Sequence, residues 1–103
     1  MPKTILAMTS LKPNGEEALE KYLSVVGPLM EKAGAKLITR YEISENLSDT
    51  EVPQYVSVVE YPDDETLQMV FSNPDYISLK AVREKAFSRY DICVIASPTT
   101  HTS

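Results

Sequence analysis

Cysteine, histidine and glycine are scarce in this chain, and each scarcity removes a class of function. A single cysteine, Cys93, cannot close an intrachain disulfide, so the fold must rest on its core, and a reducing, cytoplasmic setting fits. The single histidine, His101, stands in a C-terminal stretch of Ser, Thr and Pro, which leaves no imidazole in the body of the chain for a general base or a haem ligand. No cluster of Cys, His or carboxylates has metal-ligand spacing, so neither a metal nor another cofactor is expected. The three glycines are far apart, which excludes a glycine-rich phosphate loop. No apolar run approaches the 18 residues that a membrane span needs. The apolar stretch near the N-terminus is too short and too broken by hydroxyls to act as a signal peptide. Basic residues are outnumbered, ten against 15 acidic ones, for a net charge of −5. They are also scattered, and the longest acidic run, Asp63-Asp64-Glu65, has the wrong sign for phosphate. Nucleic acid and anionic membrane are therefore not expected partners.

What is present reads as an ordinary globular domain. The chain has 103 residues, 43% apolar and 24% charged, enough to bury one core unaided. Thr4 to Leu11 is β-prone, and Lys12-Pro13-Asn14-Gly15 ends it as a turn. From Glu16 to Ala33 apolar residues recur at steps of three and four, the mark of an amphipathic helix. Glutamates crowd its start, where the helix dipole favours anions, and Gly34 follows its end. Gly27-Pro28 in the middle predicts a kink or two shorter helices. Lys36 to Ile43 and Gln54 to Tyr61 read as strands joined by an acidic loop. Asp63 can cap a short helix from Asp64 to Ser72. Ser72-Asn73-Pro74-Asp75 breaks it, and a second helix is expected from about Asp75 to Arg89. Asp91 to Ala96 is the last strand, and residues 97–103 form a polar tail expected to fray.

The order is βαββαβ, with the second helical segment split in two. Right-handed crossovers then give a ferredoxin-like α+β fold over residues 1–96, with a four-stranded antiparallel sheet and helices on one face. Both sheet faces carry apolar bulk. Ile5 and Ala7 oppose Leu6 and Met8; Tyr55, Val59 and Tyr61 oppose Val56 and Val58. Helices can cover only one face, and each large side chain left in water forfeits roughly 1.5–3 kcal/mol. A second copy packed sheet to sheet would supply the missing cover, so a homodimer through the sheet face is expected.

The run Val59-Glu60-Tyr61-Pro62-Asp63, followed by Ser72-Asn73-Pro74-Asp75-Tyr76 and then Arg83, resembles the domain-of-unknown-function family 1330. Tyr22, Val26-Gly27-Pro28-Leu29, and the turn at Gly34-Ala35-Lys36 into a strand ending near Arg40 fit the same pattern. The likeness spans about residues 4 to 96. Phe71 stands where that family often has Trp. The resemblance implies a dimeric α+β barrel, shared with NIPSNAP-type and antibiotic-biosynthesis monooxygenase-like proteins. It implies no particular reaction.

Four residues stand out as candidate ligand contacts. Arg40 and Glu60 lie on strands that should pair, as cross-strand neighbours on the dimer side. There they could orient a polar ligand or form a structural ion pair. Tyr76 and Arg83, seven apart, share one helix face and resemble family positions beside the cleft between helix and sheet. They could bind a carboxylate or enolate oxygen. Alternatively, Tyr76 only packs and Arg83 pairs with an acid. Cys93 reads as a buried strand residue, and the six tyrosines as core and interface residues. Three functions fit: a cofactor-independent enzyme on a small organic acid or aromatic, a non-catalytic module that binds a small molecule, and a purely structural dimerisation unit with no pocket of ligand size.

Overall fold

The computed structural model describes residues 1–96. The expected tail and His101 lie outside the described residues. Strand β1 (Lys3–Leu11) leads into helix α1 (Glu16–Lys32), then β2 (Lys36–Glu42) and β3 (Tyr55–Tyr61). Three short helices follow, α2 (Asp64–Phe71), α3 (Pro74–Ile77) and α4 (Lys80–Ala86), before β4 (Phe87–Ile95). The strands form one antiparallel sheet in the order β2-β3-β1-β4. This is the ferredoxin-like α+β arrangement, with all helices on one face of the sheet. No helix among the described residues is long and apolar enough to cross a membrane.

Local chemistry accounts for most element ends. Asp63 accepts from the Thr66 amide at 2.8 Å, and the Thr66 hydroxyl accepts in return from the Asp63 amide, a reciprocal cap that starts α2. Asn73 caps α3 through the Asp75 amide, and Pro74 takes the first helical position, where its missing N–H costs nothing. Gly34, at φ +78°, makes the left-handed turn that ends α1. Gly15 lets the start of α1 touch the end of α4: a Cβ there would lie 2.6 Å from the Lys85 carbonyl.

One helical expectation is narrowed and another corrected. Of the two alternatives at Gly27-Pro28, a kink or two shorter helices, the second does not occur: Glu16–Lys32 is one continuous helix. Gly27 and Pro28 both lie exposed, so the carbonyl that loses its donor faces water instead of the core. The helix expected from Asp75 to Arg89 is instead two short helices, and β4 begins at Phe87. The Ala86 carbonyl accepts from the Lys12 amide at 2.9 Å, tying the end of α4 to the loop after β1. From there Phe87 pairs with Leu11 across a register shift at Ser10/Leu11.

The core lies between the sheet and the helices. Ile5, Val59 and Tyr61 from the sheet meet Tyr22, Val26, Leu67, Val70 and Tyr76 from the helical layer. The opposite sheet face carries Leu6 and Met8 on β1, level with Val58 and Val56 on β3 and with Cys93 and Asp91 on β4. Nothing within the described residues covers it, and the molecule is only 17 Å thick, the depth of two layers. Cys93 lies exposed on this face, not buried as expected, because β4 is an edge strand. Exposed apolar residues also run along the β2 edge and its loop, among them Leu37, Ile38, Tyr41 and Leu47.

Candidate functional site

The site is a cleft that the sheet's own side chains leave open beneath the helices. On the helix-facing side, the two central strands carry small residues part-way along, Ala7 and Thr9 on β1 and Ser57 on β3, next to the larger Ile5, Val59 and Tyr61. Arg40, Ser57, Ala7 and Ile92 form one row across the four strands, and Tyr55, Thr9 and Tyr90 lie in the next. Ala7, Thr9 and Ser57 are too short to reach the helical layer. A cavity of about 240 Å³ remains above them. It is smaller than the usual range for drug-sized ligands, roughly 300–1,000 Å³. A groove of about 410 Å³ adjoins it near β4 and shares Ile5, Phe71, Tyr76, Tyr90 and Ile92 as walls.

Aromatic rings build much of the wall. Both phenylalanines and four of the six tyrosines line the cavity. Phe71 stands edge-on to Tyr61 and Tyr76, with centroids 6.2 and 5.0 Å away, and Tyr22 stands edge-on to Phe87 and Tyr90 at 5.3 and 5.9 Å. Such edge-to-face contacts hold rings in fixed orientations.

Three phenols converge within this wall. The Tyr90 hydroxyl lies 2.5 Å from that of Tyr22 and 2.7 Å from that of Tyr76. Burial pushes the Tyr22 and Tyr90 hydroxyls well above the ordinary phenol range. Burial also raises Tyr61 to about 12. Three phenol hydroxyls carry three protons, and two are used in the bonds within the cluster. One O–H is therefore always left to donate to something else. The cluster can donate to a carbonyl, carboxylate or enolate oxygen. Tyr22 and Tyr90, held neutral, are not bases near neutral pH.

The four sequence candidates separate into different places. Tyr76 is buried and lines the cavity. Arg83 is beside it but behind the wall. Its guanidinium lies 4.6 Å from the Tyr76 ring centroid and 5.4 Å from that of Tyr90, and Nη1 donates to the Tyr76 carbonyl at 3.1 Å. It faces a shallow outer hollow with Lys80, Glu84 and Ser88. No carboxylate pairs with it among the described residues, where the one ion pair joins Arg89 and Asp91.

The expected contact between Arg40 and Glu60 does not form. An irregularity between Leu37 and Thr39 inserts one extra residue into β2 and reverses the facing of everything after it. Arg40 thus stands opposite Ser57 and turns into the cleft, while Glu60 stands opposite Lys36 and Thr4 on the open face. Arg40 sits at the exposed mouth of the cavity, its guanidinium 4.5 Å from the Tyr55 ring centroid.

Tyr22, placed in the first helix and in the family pattern, was not named as a site residue, and neither was Tyr90. Tyr90 was hidden by the misplaced end of the last helix. The alternation of Ser88, Tyr90, Ile92 and Val94 with Arg89, Asp91 and Cys93 was the available signal that residues 88–95 are strand. No group of three or more metal-ligating side chains occurs among the described residues.

A family model for a domain of unknown function (DUF1330) matches residues 4–97. The chain belongs to the DUF1330 family. RPA0582 from Rhodopseudomonas palustris, a protein of unknown function, superposes with a TM-score of 0.72 at 23% identity, covering 94% of this chain and 84% of that one. Rv0793 from Mycobacterium tuberculosis is similar along the whole of both chains, with a TM-score of 0.63 at 20% identity. SnoaB from Streptomyces nogalater, a cofactor-independent oxygenase, has a TM-score of 0.60 at 10% identity, covering 96% of this chain and 95% of that one. At these identities the likeness shows the fold. No curated protein matches. This DUF1330 chain thus shares its ferredoxin-like frame with proteins of unknown function and with an enzyme.

Proposed function

We propose that this DUF1330 protein is a cytoplasmic homodimer, paired through its open sheet face, that binds a small organic acid or aromatic molecule in the cleft between sheet and helices. The observation that carries this reading is the partly enclosed, aromatic-walled cavity with a three-phenol cluster that always has one proton to donate. A cavity of that kind offers apolar burial to a ligand body and one directed hydrogen bond to a ligand oxygen. The open face supports the dimer, because Leu6, Met8, Val56 and Val58 form a continuous apolar surface that the chain's helices cannot reach.

On this reading, chemistry in the cleft draws on the chain's own side chains. Neutral phenols can hold negative charge that develops on a carbonyl oxygen, as an oxyanion site does. A cofactor-independent oxygenase shares the frame, which supports this reading by analogy. The second reading, a binding module without turnover, is favoured by one observation. No carboxylate lines the cavity among the described residues, so a substrate would have to bring its own acidity.

Native mass spectrometry of freshly purified protein tests the binding reading. The expected result is a dimer carrying a small adduct that is lost when Ala7→Leu fills the cavity. An adduct retained by that variant, or a monomer of 11.5 kDa, contradicts the cleft or the dimer respectively. Incubating the released adduct with the protein then separates the two readings, since product formation supports the enzyme and unchanged adduct the module.

A further inference from the structure

Among the described residues that line the cleft, Arg40 alone carries a charge at neutral pH. This is unusual company for a cation. The chain is acidic overall, yet no carboxylate lies within ion-pair distance of Arg40 among the described residues, including Glu42 two positions further along its own strand face. The side chain is held instead by the Tyr55 ring, which steadies a guanidinium without neutralising it. The extra residue in β2 between Leu37 and Thr39 points Arg40 inward. Without it, residue 40 would face the other side of the sheet.

The phenol cluster lies at the other end of the same cleft. Arg40 is on β2 and Tyr90 on β4, the two edges of the sheet, three strand spacings or roughly 14 Å apart. Between them the floor is Ser57 and Ala7. One end therefore supplies a fixed positive charge at the mouth, and the other a neutral O–H donor in the interior.

We propose that the cleft takes a small monoanionic acid lying across the sheet, its carboxylate on Arg40 and its far oxygen on the Tyr22–Tyr90–Tyr76 cluster. This rests on the reading of the cleft as a small-molecule site and adds the charge of the ligand, its direction, and Arg40 as the residue that selects it. A carboxylate at the mouth keeps part of its hydration and gains a charge-assisted, planar partner, while the apolar body displaces water from an aromatic enclosure. A dianion would bring its second charge against buried rings with no counter-charge, which the cleft should reject.

Calorimetry with three matched probes tests this. 4-Acetylbenzoate carries both oxygens, 4-acetylbenzamide keeps the carbonyl and removes the charge, and 4-ethylbenzoate keeps the charge and removes the carbonyl. On the wild-type dimer 4-acetylbenzoate should bind best, with each of the others about tenfold weaker, the worth of one charge-assisted or buried hydrogen bond. Arg40→Met keeps the length and apolar bulk of an exposed side chain, and its melting temperature confirms that it folds. It should abolish the preference for acid over amide and leave amide binding unchanged. Equal binding of acid and amide by the wild type, or equal loss of both in Arg40→Met, overturns the assignment of Arg40 while leaving the cleft as a binding site. Binding of none of the three at millimolar concentration overturns the cleft reading and the proposal with it.

Discussion

The two faces of one sheet are built from alternate residues of the same strands, and they are built differently. The helix-facing side is hollowed part-way along its central strands, where Ala7, Thr9 and Ser57 lie between Arg40 on one edge and Ile92 and Tyr90 on the other, while Ile5, Val59 and Tyr61 fill the core beyond them. The other side carries medium-sized apolar residues in its middle, Leu6, Met8, Val56 and Val58, with none of that hollowing. A hollowed surface under a lid encloses something small. A level apolar surface without a lid suits something large and flat, and a second copy is the simplest such partner. One strand pattern can thus carry two binding tasks, because a pleated strand separates them by a single residue step.

The largest expected effect lies on the level face. Leu6→Glu places a charge between Val58 and Cys93. Sedimentation should show dimerisation weakened at least 100-fold, from the roughly 3 kcal/mol or more that an unpaired charge costs at an interface centre. Helical circular dichroism should be retained. A dimer that survives this change would remove the assigned role of that face. The next effect belongs to the hollow face. Ala7→Leu should reduce 4-acetylbenzoate binding at least tenfold and leave the dimer intact. Its melting temperature should stay within about 5 °C of the wild type, because the new side chain enters a void and costs little packing strain. A large loss of stability would mean that the void collapses in solution.

Alkaline titration sharpens the comparison further, because the raised phenols all line the hollow face. Tyr22, Tyr61 and Tyr90 are held above the ordinary phenol value of 10.0, Tyr61 at about 12. A raised folded value favours the protonated form, so this stability is whole below pH 10. It falls as the pH rises from there through about 12, where the unfolded chain gives up protons that the folded one keeps. Denaturant melts across this range should show that decline, and Tyr61→Phe should lessen the slope by up to one proton. The smallest effect is remote from both faces. Asp63 lies below its ordinary value because the Thr66 amide donates to it. Its contribution is present above pH 3.8 and is lost as the pH falls through the lowered value. Asp63→Ala should lower the melting temperature slightly and move neither dimerisation nor ligand binding.

The element order and the apolar second face were legible in the sequence, because 4–8 and 55–61 are short β-prone runs that carry apolar residues at both odd and even positions. The family resemblance was legible in the Pro62–Asp63 and Asn73–Pro74 breaks, which the structure uses as a helix cap and a helix start. The facing of Arg40 was not legible. It depends on one extra residue near Ile38, and nothing in Lys36-Leu37-Ile38-Thr39-Arg40 announces a bulge. The phenol cluster was hidden for another reason. Tyr22, Tyr76 and Tyr90 are distant in sequence and meet only when α1, α3 and β4 pack, and the last of these was expected to begin four residues too late.

Methyl NMR of the dimer tests the central contrast most directly. The chain has four methionines; Met30 lines the cleft and Met8 lies on the level face, with Ala7 beside it pointing the other way. Adding 4-acetylbenzoate should shift the Ala7 and Met30 methyl signals and leave Met8 in place, whereas dilution to monomer should shift Met8 and leave Ala7 and Met30 in place. A ligand that moves Met8 in preference to Ala7 and Met30, or a dilution series that leaves Met8 unmoved, would contradict the division of tasks between the two faces.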